Sequence, residues 1–300
     1  MDIYSHGKIL LTAEYAVLDG VTALALPTKR GQHFTLEHTQ DQKIVWQSFD
    51  VQGKKWIDVV FDLDFHVVTQ TDTEEKIIET LQNILSEMAI LQPNFYGNGF
   101  SFVSRLEFER SWGLGSSSTL FHALRKGFSI NPYQLLEATM GGSGYDIAAA
   151  EAEGAILYQR NGHQPKIQNV SFMPAFAENL FFIHLNQKQD SGKAVAAYNK
   201  RKAPDSATQK TLEVLGQEIL LVEEQDEFNA LVKTHEEVIG KLIGQTPIQE
   251  RLFPDFNGQI KSLGAWGGDF ILASGGENTV DYFKDKGYNT VIPYREFILK

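Results

Sequence analysis

Cysteine is absent from the sequence, which excludes disulfide bonds, thiolate metal sites and cysteine nucleophiles. A chain without cysteine suits a reducing compartment, and we expect a cytoplasmic protein. No stretch approaches the ~18 consecutive apolar residues that a membrane-spanning helix needs, so no membrane partner is expected. The first residues contain an acid, Asp2, and no long apolar run, and they therefore predict no signal peptide.

Positive charge is also scarce. The chain has 27 Lys and Arg residues against 38 Asp and Glu residues, which gives a net charge of -11. This balance argues against nucleic acid as the main partner and favours a small-molecule substrate. If that substrate is an anion, local donors must override the negative field of the whole chain. The basic side chains near the motifs described below are Lys8, Arg110, Lys188, Lys193 and Lys261.

The apolar content is sufficient for two ordinary domains, since 42% of the 300 residues are hydrophobic. Strand and helix patterns alternate along the chain, which favours an α+β fold. The run Leu180–Ile183 is typical of a buried strand, and it places the start of a second domain just before it. We predict domains at residues 1–177 and 178–300. Either a monomer or a homodimer fits this composition.

Two helices have clear local signals. Apolar residues recur at helical spacing from Ile77 to Met88, and Asp72 or Thr73 is the predicted cap. Asn131-Pro132 predicts the start of another helix, because asparagine caps and proline suits the first turn. The other predicted elements are strands at 3–11 and 100–108, hairpins within 33–68, helices at 119–127, 145–153, 206–224 and 227–243, and a strand–turn–strand unit at 260–274.

A run of small residues lies between a strand pattern and a helix pattern. Successive backbone N–H groups in such a loop can converge on an anion, and glycine lets the backbone approach phosphate because no Cβ intervenes. The spacing is not of the Walker type, since no Gly-Lys-Ser/Thr closes it. A tight strand-to-helix connection capped by serine is the structural alternative. The predicted phosphate-binding residues are Gly113, Leu114, Gly115, Ser116, Ser117 and Ser118.

Two charged residues elsewhere could complete a site. Lys8 lies on the first predicted strand, and Asp146 lies in the first turn of a predicted helix after the glycine-rich bend 141–144. Each has a simple structural alternative: a solvated strand lysine, and a carboxylate stabilised by the helix dipole. A phosphate-binding loop with a lysine upstream and an aspartate downstream indicates phosphoryl transfer to a small molecule.

Four motifs, taken in order, resemble those of the GHMP kinase superfamily (galactokinase, homoserine, mevalonate and phosphomevalonate kinases). They are Ser5–Val17, Gly113–Ser117, Ser143–Asp146 and Ser262–Asp269, and together they span most of the chain. The resemblance implies a two-domain GHMP kinase fold. Its N-terminal domain would resemble ribosomal protein S5 domain 2, and its C-terminal domain would be ferredoxin-like.

The resemblance also implies ATP and Mg²⁺ as cofactors and gives roles to individual residues. Lys8 and Asp146 would be catalytic, and the loop at 113–118 would hold the nucleotide phosphates. Ser117 would contact the metal, and Glu137 is a candidate second ligand, with a solvated helix glutamate as the alternative. The implied substrate-binding residues are Glu14, Tyr15, Ser143, Gly144, Lys188, Gly264, Ala265 and Gly267.

Within the superfamily, the motifs are most similar to those of phosphomevalonate kinases. The similarity lies in Glu14–Val17, in residues 142–150 and in Gly267–Asp269. It implies transfer from ATP to 5-phosphomevalonate, which forms 5-diphosphomevalonate in the mevalonate pathway of isoprenoid biosynthesis. Mevalonate kinase, another GHMP kinase, a related decarboxylase and a non-catalytic nucleotide or metabolite binder are the alternatives.

Three positions depart from the superfamily pattern. His6 stands where proline is usual, and Thr12-Ala13 replaces the glycine before the glutamate. Trp266 interrupts a run of glycines expected beside the substrate phosphates. An indole there would block close backbone approach unless the loop is rearranged, or it would shape the substrate site.

Overall fold

The computed structural model describes residues 1–187, 191–266 and 268–300. These residues divide into two compact units, each built from several chain segments. The first unit comprises Met1–Gly7, Arg30–Arg110 and Gly115–Glu151, and the second comprises Lys8–Lys29, Ser111–Leu114 and Ala152–Lys300. The predicted domain boundary after residue 177 stays a prediction. Lys188 and Gly267, both predicted to bind substrate, lie outside the described residues.

The first unit contains a mixed sheet. Strands β1 (Asp2–Leu10) and β2 (Ala23–His38) contribute residues to both units. The other strands of the first unit are β3 (Lys43–Phe49), β4 (Lys55–Phe61), β5 (Val67–Gln70) and β6 (Gly99–Leu106). Their order is β5-β4-β3-β6-β2, with β3 and β6 parallel and the other pairs antiparallel. The predicted hairpins are thus confirmed in β3 and β4, where buried residues alternate with less buried ones as a half-buried sheet requires.

Four helices accompany this sheet: α1 (Glu75–Leu91), α2 (Ser116–Phe128), α3 (Pro132–Thr139) and α4 (Tyr145–Glu151). The predicted apolar side of α1 is confirmed, because Ile78, Leu81, Leu85 and their neighbours are buried in the core of the unit. The predicted cap of α1 was wrong. The helix begins after Glu74 without a side-chain cap, since the Thr73 hydroxyl instead accepts the N–H of Asp58 at 2.9 Å.

The predicted start of α3 is confirmed. The Asn131 side-chain oxygen accepts the N–H groups of Tyr133 at 3.0 Å and Gln134 at 3.3 Å, and Pro132 is the first helical residue. Helix α2 begins at Ser116, earlier than the predicted Thr119. The reason is that Gly115, rather than a serine, adopts the conformation that ends the loop.

The second unit contains an antiparallel sheet in the order β10-β11-β9-β12. Its buried strand β9 (Leu180–His184) and the strand–turn–strand pair β10 (Gly258–Ser262) and β11 (Phe270–Gly275) are as predicted. The remaining elements are β7 (Ile156–Gln159), β8 (Lys166–Asn169), β12 (Val291–Pro293), α5 (Ser191–Tyr198), α6 (Ser206–Leu221), α7 (Gln225–Ile243), α8 (Ile248–Leu252), α9 (Thr279–Asp285) and α10 (Tyr294–Phe297).

Apolar side chains from β9, β10 and β11 and from the segments of α8 and α9 form a core within the second unit, which includes Ile183, Phe253, Ile260 and Phe283. Helices α6 and α7 were predicted at 206–224 and 227–243, and their observed bounds differ by at most three residues. Over the described ranges, no helix combines the length and the apolar character that crossing a bilayer demands.

Candidate active site

The loop before α2 combines left-handed glycines with an uncapped helix start. Gly113 and Gly115 have φ angles of 65° and 92°, in the left-handed region that favours glycine. Gly115 is the residue at the N-cap of α2, and no side chain caps the helix there. The first N–H groups of a helix have no intrahelical partner. The start of α2 can therefore offer these donors, with the positive end of the helix dipole, to a phosphate.

The hydroxyl groups after this loop have two different environments. The Ser118 hydroxyl donates to the Gly115 carbonyl at 2.8 Å, and the Thr119 hydroxyl donates to the Gln32 side-chain oxygen at 2.6 Å. Both residues are buried. Ser116 is half-buried and Ser117 is exposed. Ser116 and Ser117 are therefore the serines best placed to meet a ligand, while the hydroxyl of Ser118 stabilises the loop.

Lys8 is joined to the start of the same loop within the second unit. Its backbone N–H donates to the Leu114 carbonyl at 3.0 Å, and its ammonium donates to the Gly113 carbonyl at 2.9 Å. The Asp269 carboxylate packs against Gly113 so closely that a Cβ at Gly113 would overlap it. Asp269 was not among the predicted site residues, although it ends the fourth motif. The structure thus brings Lys8 and Asp269 together at the start of this loop, within the second unit.

Asp146 lies in the first unit, in the opening turn of α4. Its carboxylate accepts the N–H of Ile147 at 3.1 Å, and the preceding Gly144 has a φ of 82°. Burial raises the pKa of Tyr133 to about 12; the Arg125 charge opposes this shift and the Asp146 charge adds to it. Ser143 is half-buried. The predicted acidic motif therefore forms the start of a helix. Its carboxylate contributes to the raised pKa of the Tyr133 phenol.

Protein ligands for a metal ion are few in the ranges that the structure describes, where no group of three His, Asp or Glu side chains could hold one. Glu137 is exposed on α3. Mg²⁺ that accompanies a nucleotide usually takes one or two protein ligands and fills its shell with phosphate oxygens and water. The exposed Ser117 hydroxyl, next to the uncapped start of α2, fits a metal ion carried by phosphates.

Glu14 occupies a buried ionic network in the second unit, and its side chain is fully buried. It forms an ion pair with Lys261, whose ammonium also donates to Glu236 at 3.0 Å. Burial raises the pKa of Glu14 to about 7; Lys261 opposes this shift and Glu236 adds to it. The sequence predicts that Glu14 binds substrate and offers Lys261 as a local cation for phosphate. In the structure these two residues are paired with each other inside the second unit.

His235 completes this network. It accepts the backbone N–H of Ala13 at 3.0 Å through Nε2, and it is fully buried. Burial, and then the charge of Lys261, hold the pKa of His235 well below its usual value of 6.5. The ring is therefore neutral, and its Nε2 acts as an acceptor.

Two predicted substrate-binding segments meet outside this network. The Tyr15 hydroxyl donates to the Ala265 carbonyl at 2.8 Å, so the first and fourth motifs are joined by a hydrogen bond. Gly264 and Ala265 are half-buried. Tyr15 is largely buried and its ring lies against that of Tyr198, with centroids 5.2 Å apart.

Trp266, one of the departures from the superfamily pattern, is a buried residue. The residue has a left-handed φ of 57°, and only 1% of its surface is exposed. Its ring centroid lies 6.0 Å from the Lys261 ammonium. The indole therefore belongs to the interior of the second unit.

Sequence reasoning missed His235 and Glu236. Both lie in the amphipathic pattern of α7, among other glutamates, and nothing local distinguishes them from a solvated helix face. The lysine that Glu236 contacts is 25 residues further along the chain. Only the fold could identify this pair.

The known proteins that this chain resembles are found among solved structures. No family model matches the sequence, and no curated protein sequence matches it. Among solved structures, a Listeria innocua protein matches with a TM-score of 0.72 and 17% identity, covering 97% of this chain and 96% of that one. The mevalonate kinase of Methanococcus jannaschii matches with a TM-score of 0.68 and 18% identity, covering 97% and 96%.

A third solved structure is the phosphomevalonate kinase of Streptococcus pneumoniae in complex with phosphomevalonate and AMPPNP. It matches with a TM-score of 0.68 and 18% identity, covering 95% of this chain and 95% of that one. At such identities the likeness shows the fold. The chain has the two-domain GHMP kinase fold, which confirms the predicted fold class.

Proposed function

We propose that this chain is a GHMP-type kinase that transfers a phosphoryl group from ATP to a small molecule, and that the acceptor is 5-phosphomevalonate. The observation that carries the proposal is the loop at 113–118, with two left-handed glycines, an uncapped helix start and the Lys8 ammonium on the Gly113 carbonyl. A solved protein of the same fold is in complex with phosphomevalonate and AMPPNP, which supports the choice of ligands.

The loop residues would bind the nucleotide. N–H groups at the start of α2 would donate to phosphate oxygens, and Ser116 and Ser117 would add hydroxyl contacts. Mg²⁺, held by Ser117 and the phosphates, would neutralise charge on the moving phosphoryl group. Glu137 stays a second candidate ligand. Lys8 would be a further cation for this charge; its ammonium lies 2.9 Å from the Gly113 carbonyl.

The role of Asp146 depends on the acceptor. A hydroxyl acceptor needs its proton removed or its oxygen oriented, which a carboxylate can do. A phosphate monoester has a second pKa near 6 and is already largely dianionic at neutral pH. It needs no general base, and Asp146 would then orient the acceptor. This difference separates phosphomevalonate from mevalonate, galactose or homoserine as substrate.

The direct test is ADP release by the purified protein with Mg-ATP and one acceptor at a time: mevalonate, 5-phosphomevalonate, galactose or homoserine. We expect turnover with 5-phosphomevalonate. Turnover with another acceptor keeps the kinase and rejects this substrate. ATP binding without ADP release on any acceptor contradicts the kinase and favours a non-catalytic binder, and release of CO₂ would indicate a decarboxylase.

Asp146→Asn tests the chemistry of the acceptor. The substitution keeps the shape of the side chain and removes its basicity, so we expect kcat with 5-phosphomevalonate to stay within a few-fold of wild type. A general base contributes about 10²- to 10⁴-fold. A loss of that size in kcat would contradict a phosphate acceptor.

A further inference from the structure

The buried ionic network of the second unit joins two loops that both carry predicted substrate-binding residues. The first loop is residues 13–15, which follow β1, and the second is residues 262–266, which begin at the last residue of β10. Helix α7 contributes two adjacent side chains to the network, His235 and Glu236. All of these residues lie in the second unit.

Each of the two helix side chains holds one loop. His235 accepts the Ala13 N–H at 3.0 Å. Glu236 accepts the Ser262 hydroxyl at 2.6 Å through one oxygen and the Lys261 ammonium at 3.0 Å through the other. Lys261 then pairs with Glu14, which links the two loops to each other. Adjacent positions on one helix therefore fix both loops.

Both loops are strained where they leave the network. Ala13, Tyr15 and Trp266 have φ angles of 58°, 64° and 57°, which residues other than glycine rarely adopt. Such conformations persist only where the surroundings determine them, and they concentrate at functional sites. The surroundings here are the network itself, since Ala13 is bonded to His235 and Trp266 packs near Lys261.

Solvent has almost no access to the side chains of the network. Glu14, His235, Glu236 and Lys261 are each at most 1% exposed. Glu14 and His235 each keep one buried polar atom without a hydrogen-bond partner among the described residues. Removing a partner inside this network would therefore leave further buried polar groups unsatisfied, which is costly.

We infer that Glu236 is a positioning residue for the acceptor: through Lys261 and Ser262 it holds residues 13–15 and 262–266 in the conformation that binds the acceptor. Glu14 belongs to this network through its pair with Lys261. The inference rests on the proposed kinase function for its meaning in catalysis. Its structural part, control of the two loops by one helix side chain, is independent of that function.

Glu236→Gln tests the inference in the full chain, because it removes the charge and keeps the shape. We expect amide hydrogen exchange in residues 13–15 and 262–266 to rise by about tenfold or more, while exchange in β9 of the same unit stays at the wild-type rate. The KM for 5-phosphomevalonate should rise by about tenfold and the KM for ATP should not change. Glu237→Gln is the matched control, since Glu237 is the next residue of α7 and is exposed; it should alter neither quantity.

Ser262→Ala provides a second variant should Glu236→Gln fail to fold. It removes the 2.6 Å hydrogen bond without removing a charge, and the same local exchange should rise. Wild-type exchange in both loops, or a rise of equal size in β9, would overturn the inference. If the wild-type protein phosphorylates no acceptor, the proposed function fails, and the exchange measurement still decides whether Glu236 controls the loops.

Discussion

Burial raises the pKa of the Glu14 carboxyl group; Lys261 opposes this shift and Glu236 adds to it. Its folded-state pKa is about 7, against 4.5 for the exposed group. The folded chain therefore binds a proton that the unfolded chain has lost between these values. Stability from this group is fully present below pH 4.5 and is lost as the pH rises through about 7.

Glu14→Gln should remove this pH dependence, since the amide resembles the protonated acid. We expect the difference in the free energy of unfolding between wild type and Glu14→Gln to shift in favour of the variant as the pH rises from 5 to 8. Urea unfolding at a series of pH values measures it. Subtracting the two proteins reduces the contribution of His235, which destabilises the fold on the acid side because it is held neutral. A constant difference across this range would contradict the assignment of the proton to Glu14.

Among elements, the loop before α2 depends on its first glycine. Gly113 has a φ of 65°, and a Cβ there would overlap the Asp269 carboxylate. Gly113→Ala should therefore displace the loop and raise the KM for ATP by about tenfold or more, since misplacement of about 1 Å at a reacting group can cost that much. Steady-state kinetics with varied ATP measures the change.

Gly162→Ala is the control for this effect. Gly162 lies in the same unit with a φ of 54°, and nothing is within 4 Å of its Cβ position. It carries the same backbone strain without the overlap. Equal effects of the two substitutions on the KM for ATP would show that strain alone is responsible and would contradict a role for the Gly113–Asp269 contact.

The elements that the sequence could predict are those with local causes. Helix α1 follows from apolar spacing, α3 from Asn131-Pro132, and the loop before α2 from its glycines. The cap of α1 could not be predicted, because the Thr73 hydroxyl is used by a strand residue, Asp58, 15 positions earlier. The ionic network could not be predicted either, since Glu14 and Lys261 are 247 residues apart.

The role of Glu14 illustrates the same limit. Its motif resembles a substrate-binding segment, and the expectation that it binds substrate stays a prediction. The structure places its carboxylate on Lys261, inside the second unit. A motif indicates that a residue matters, whereas the partner that the fold brings to it determines what the residue can do.

For the whole molecule, the net charge of -11 opposes the approach of an anionic nucleotide, so the proposed binding would require the local donors of the loop and Lys8. We expect the nonhydrolysable analogue AMP-PNP with Mg²⁺ to raise the melting temperature. At 100 times Kd, the ligand stabilises the fold by about 2.7 kcal/mol, which corresponds to several degrees. Thermal unfolding followed by circular dichroism measures the shift.

A second ligand and a variant serve as controls for this measurement. AMP shares the adenosine and lacks the β and γ phosphates, so it should shift the melting temperature less. Lys8→Met should reduce the shift with AMP-PNP, because it removes the ammonium beside the Gly113 carbonyl. The same shift with AMP as with AMP-PNP would contradict binding through the phosphates.

The position of Trp266 also gives the molecule a fluorescence signal that depends on its buried charges. Indole emission responds to the electric field at the ring, and the Lys261 ammonium lies 6.0 Å from the centre of this one. The chain has four tryptophans, so a difference spectrum between wild type and Trp266→Phe isolates its signal. We expect gain or loss of the Glu14 proton to alter the electric field around Lys261 and hence the wavelength of that emission. The buried indole is thus an intrinsic fluorescent probe of the charges around it, and it needs no attached dye.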